Sequence, residues 1–90
     1  MYGLQDLIRE GLLKVGEVLV WERKGVKHLA KVLNGGRIET SDGKVHKTPS
    51  GASKHLNDGK SVDGWLMWKT SNNGDKLCDL REELKKRDQK

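Results

Sequence analysis

Ninety residues leave room for one small domain, and 33% hydrophobic with 34% charged residues is a globular composition that excludes membrane-spanning and fibrous classes. Eighteen Lys and Arg against thirteen Asp and Glu give a formal charge of +5, which leans toward an anionic partner. A chain this short buries only about 60% of its unfolded surface, so a surface binding module is expected rather than a deep catalytic cavity.

Leu4, Leu7, Ile8 and Leu12 form one apolar stripe, which predicts a helix from about Gly3 to Leu13, with Gly16 as its stop. From Glu17 the period changes to two. Val18 and Val20 share one face of a strand, Leu19 and Trp21 the other, and Lys24-Gly25 marks a turn. The run from Val26 to Leu33 carries apolar groups on both faces and reads as a central strand closed by Asn34-Gly35-Gly36. Two shorter strands, Arg37 to Thr40 and Lys44 to Lys47, are joined by a tight turn at Ser41-Asp42-Gly43.

Thr48 suits an N-cap and Pro49 the first helical position, where its missing N–H is no loss, so a short helix is expected to about Asn57. Asp58-Gly59 ends it. The run from Val62 to Lys69, holding Gly64-Trp65-Leu66-Met67-Trp68, reads as one more strand, followed by a turn at Asn72 to Asp75. Leu77, Leu80 and Leu84 then place an amphipathic helix from about Lys76 to Arg87. The expected fold is α+β: a small antiparallel β-meander of four to five strands flanked by an N-terminal, a short central and a C-terminal helix, in a single domain.

Catalytic patterns are missing from the sequence. His28, His46 and His55 match no zinc-ligand spacing with the single Cys78, and the chain carries no P-loop, no GxGxxG after a strand and no nucleophile elbow. The expectation is therefore no enzyme, no cofactor and no metal. One unpaired cysteine and the lack of a signal-like leader or an apolar run of about 20 residues point to an intracellular, non-membrane protein. Whether the chain is whole or a domain of a longer one stays open.

The surplus charge is spread along the chain, so a basic patch must be assembled by folding. Arg81, Lys85, Lys86 and Arg87 interleave with Glu82, Glu83 and Asp88, a pattern of helical ion pairs on a solvated face. Lys44, Lys47 and Lys54 surround the helix start at Thr48, whose hydroxyl and that of Ser50, with the free N–H groups and dipole, make an anion seat. The same residues equally suit a plain capped helix. The aromatic set has no Phe and three Trp. On a strand Trp65 and Trp68, three apart, face opposite ways, so one can be core while the other is presented to a partner; the usual place of each is the core, and the alternative is that one indole stacks on a base or closes on a methyl group.

Gly11-Leu12-Leu13, Gly16, Gly35-Gly36-Arg37-Ile38, Asp42-Gly43, Thr48-Pro49-Ser50-Gly51-Ala52, and Asp63-Gly64-Trp65 with Trp68 follow one another in an order that resembles the RAMA domain, a module associated with restriction enzymes and adenine methylases and found in chromatin-type eukaryotic proteins. The resemblance runs from about Leu4 to Leu80. It implies non-catalytic DNA binding with a preference for modified DNA such as N6-methyladenine, bringing a linked effector to its site. Thr48, Pro49, Ser50 and Ala52 fall on the family's small-residue block, and Gly64, Trp65 and Trp68 on its second block. His46 stands where the family commonly has an aromatic, and Thr48 where it has Ser.

DNA is thus the expected partner: Lys44, Lys47, Thr48, Ser50 and Lys54 hold phosphate, and His46, Trp65 or Trp68 meets a base or its methyl group. The chain is expected to be monomeric, nuclear in a eukaryote and cytoplasmic in a bacterium. The rival reading is a protein-interaction or dimerisation module using a sheet edge or the leucines of the terminal helix.

Overall fold

A computed structural model describes residues 2–88. The elements in chain order are α1 (Leu4–Arg9), β1 (Val18–Arg23), β2 (Val26–Val32), β3 (Ile38–Thr40), β4 (Val45–His46), α2 (Pro49–Leu56), α3 (Gly64–Met67), β5 (Lys69–Thr70) and α4 (Leu77–Asp88). The five strands form one antiparallel sheet in the order β4-β3-β2-β1-β5, so the expected α+β fold and the central place of β2 hold.

Alternation along the strands decides the two faces. Leu19 and Trp21 on β1, Ala30 and Val32 on β2, and Ile38 and Thr40 on β3 point to one side and are buried there. They meet Leu4, Leu7 and Leu13, then Ala52, Trp65 and Trp68, and finally Leu77, Leu80 and Leu84 in one core. The other face carries Val18, Leu29 and Val45 in the open. The leucines of α4 close the core, which removes that helix stripe as a docking surface. Both edge strands are two residues long, so neither offers much of an edge for a partner strand.

α1 is a turn shorter than its periodicity suggests. Gly11 adopts φ +76°, Leu12 N–H bonds to Leu7 O at 2.9 Å and Gly11 N–H to Ile8 O at 3.1 Å, which is a Schellman stop. Leu12 and Leu13 therefore leave the helix, and Leu13 reaches the core from the loop. The helix docks closely on the β2–β3 turn: a Cβ on Gly36 would lie 2.7 Å from Gln5 N.

The segment read as a strand from Val62 to Lys69 is corrected to a helical turn followed by two strand residues. Asp63 caps it, its carboxylate accepting from Trp65 N–H at 3.0 Å. Gly64 fixes its place, since a Cβ there would lie 2.2 Å from the carbonyl carbon and oxygen of Pro49. A short apolar run fits a buried strand or a buried helix alike, and here tertiary contact with α2 decides. As a result Trp65 and Trp68 both turn inward, not one to each side. Trp68 is wholly buried, with Nε1 donating to Ser53 Oγ at 2.9 Å, while Ser53 donates onward to Pro49 O at 3.1 Å. Trp65 lies beneath the Arg81 guanidinium, 4.0 Å from the ring centroid.

Candidate nucleic-acid interface

The residues expected to meet DNA fall into three groups. Thr48 and Ser50 are engaged within the fold: Thr48 Oγ1 accepts Gly51 N–H at 3.0 Å, and Ser50 Oγ accepts Gly64 N–H at 3.1 Å. Ala52 N–H bonds to Thr48 O at 3.2 Å, and the tight approach of Gly64 lies against Ser50 N. The start of α2 is therefore capped and covered, and it offers an incoming phosphate less than its sequence suggests. Trp65 and Trp68 belong to the core.

Lys44, Lys47 and Lys54 are the second group. All three are exposed, and among the described residues none of their ammonium groups makes a salt bridge. Lys54 stands in the last turn of α2, not beside its start. There a cation is favoured by the negative end of the helix dipole.

His46 belongs to a third group, which the spacing of the sequence hides. The strand β4 aims its ring to the covered side, where it faces the His55 ring of α2 at 5.0 Å between centroids. His55 Nε2 meets Asp42 Oδ2 at 2.6 Å, and Thr40 Oγ1 donates to Asp42 Oδ1 at 2.5 Å. Thr40 Oγ1 also lies 3.4 Å from His46 Nε2. The β3–β4 turn is thereby clasped to the end of α2. The Thr40 hydroxyl and then His55 hold the Asp42 carboxyl well below the usual carboxylate range. Partial burial, then the charge of His55, pushes His46 below its ordinary value, against the opposing pull of Asp42. The neutral His46 imidazole is favoured, and a neutral ring stacks and hydrogen-bonds without a charge to desolvate.

The β1–β2 hairpin brings further cations to the same end of the sheet, because Ala30 pairs with Thr40 and the hairpin tip extends beyond that pair on the side of the β3–β4 turn. Arg23 and His28 lie on the covered side with Trp21. The His28 ring is 5.4 Å from Trp21, and the Arg23 guanidinium is 5.8 Å from the indole centroid. Sequence reasoning does not assign these residues to the site. Their only signal in the sequence is the Lys24-Gly25 turn, which says nothing of what the tip faces.

Among the described residues no group of three or more His, Cys, Asp or Glu is arranged to hold a metal ion. The described helices include none long and apolar enough to cross a membrane. A family model described as RAMA, Restriction Enzyme Adenine Methylase Associated, matches residues 2–90. No curated protein matches the chain.

Proposed function

The chain belongs to the RAMA family, and from that membership together with the cationic end of α2 we propose that it is a non-catalytic DNA-binding module that recruits a linked effector to its site. The observation that carries the reading is the set of exposed lysines, Lys44, Lys47 and Lys54, around the half-buried His46 and its partner His55. Exposed, unpaired lysines suit phosphate contacts, which fix position without reading sequence. The imidazoles are the side chains of this surface able to meet a base edge or its face.

Preference for a modified base such as N6-methyladenine is the finer part of the proposal. With both tryptophans of the Gly64–Trp68 segment in the core, that selectivity falls to the imidazoles and to apolar groups near them. DNA as the partner also places the protein in the nucleus of a eukaryote or the cytoplasm of a bacterium.

Fluorescent duplexes with and without N6-methyladenine, titrated at two salt concentrations, test both parts. The expected result is binding that weakens steeply with salt, tighter for the methylated duplex. Absence of binding at low salt rejects the DNA reading, and equal affinity for the two duplexes rejects the modified-base reading alone.

A further inference from the structure

α2 ends at Leu56, and between this residue and the β1–β2 hairpin lies a cavity of about 240 Å³ lined by Arg23, Lys24, Val26, His28 and Leu56. Its walls are of two kinds. Val26 is 53% exposed and Leu56 half-buried, an apolar pair with an imidazole beside them, while a guanidinium and an ammonium stand among the same lining residues. No carboxylate is among the lining residues.

Two further details bear on it. The Arg23 side chain is laid along Trp21, and its guanidinium makes no salt bridge among the described residues, so it is held in place yet free to pair. Lys24 adopts φ +50° in the tight turn before Gly25, a left-handed position that Asn or Gly fills with less strain. The turn thus places Lys24, in a strained backbone conformation, among the residues that line the cavity.

We infer that this cavity seats one nucleotide, its base against Val26, Leu56 and the His28 ring and its phosphate between Arg23 and Lys24. An apolar wall with an imidazole fits a flat heterocycle, and paired cations without an acid fit a phosphate. The identity of the ligand rests on the DNA reading, whereas the cavity and its charge do not. The nucleotide has two sources, a free mononucleotide or a unit of a strand, and the experiment separates them.

Backbone amide NMR titrations of the folded chain with deoxyadenosine monophosphate, with deoxyadenosine and with inorganic phosphate are the test, alongside a short single-stranded oligonucleotide and a duplex. The mononucleotide is expected to shift residues 23–28 and 56 and to saturate at millimolar concentration, the nucleoside and phosphate alone binding more weakly. In K24N the mononucleotide affinity falls about three- to fivefold, as for removal of one exposed charge, while the melting temperature holds or rises because Asn suits the turn. A purely structural Lys24 would show the gain in stability without the loss of affinity. Mononucleotide shifts absent from 23–28, or unchanged affinity in K24N, overturn the inference. Mononucleotide shifts at the cavity without binding of either oligonucleotide keep the site for a free nucleotide and reject the DNA reading instead.

Discussion

The two ends of α2 carry opposite lessons. Its start has the sequence features of an anion site, yet Thr48 caps it, Gly64 closes on Pro49 and Ser50, and the Ser50 hydroxyl holds the next segment in place. Its far end has no motif, yet His55 meets Asp42 and His46 there and Leu56 lines a cavity with Arg23 and His28, from two hairpins distant in sequence. Groups that satisfy one another within the fold are poor ligands for anything else, and the cations left without acids are the ones available to a partner.

That contrast is open to direct attack. The largest effect is expected at the closed end. Gly64→Ala places a methyl too close to the Pro49 carbonyl and should cost about 3 kcal/mol or prevent folding, read by urea denaturation. Ser53→Ala leaves the buried Trp68 indole N–H without its partner and should cost about 1–3 kcal/mol, with duplex affinity unchanged in the folded fraction. Thr48→Ala removes the cap and should cost about 1 kcal/mol, again without weakening DNA binding. A large loss of affinity in this last variant would return the anion seat to the helix start.

At the exposed lysines the signs reverse. Replacing Lys44, Lys47 and Lys54 together by Gln should leave stability within about 0.5 kcal/mol, as for surface positions. The same variant should lower the salt slope of duplex binding by roughly 0.9 for each phosphate no longer neutralised. The smallest effect is on pH. His46 is held below its ordinary value in the fold, so the unfolded chain binds the proton more readily. Its contribution to stability is complete above about pH 6.5 and is lost as the pH falls through that value toward the lower folded one. Thermal melts between about pH 8 and pH 5.5 should therefore show a decline that His46→Asn reduces. Asp42 behaves likewise in a more acid window: its contribution is complete above about pH 4 and is lost as the pH falls from there toward the much lower folded value, because the unfolded carboxylate takes up its proton first.

Where structure is local, the sequence is legible. The turns at Lys24-Gly25 and Ser41-Asp42-Gly43, the cap at Thr48-Pro49 and the leucines of α4 all appear where period and turn chemistry place them. The two misplacements have different causes. Gly11, at φ +76°, ends α1 in a local Schellman turn, whereas Gly64 lets the helical turn of α3 pack directly on Pro49. The second cannot be read without the tertiary contact. His46, His55 and Asp42 are visible in the sequence only as isolated residues, since nine and thirteen positions of chain, with a helix start between, bring them together. Much of the motif that carries the family resemblance proves to be fold-making: Gly11, Gly36, Gly64, Trp65 and Trp68 shape the core and its turns.

The central claim is that DNA lies on the open end of α2 and the hairpin tips. Amide NMR mapping of the chain with a short duplex tests it most directly. Shifts gathered on residues 44–47, 54–56 and 23–28 are the predicted result, and shifts confined to residues 49–51 and 64, or to α4, would contradict it.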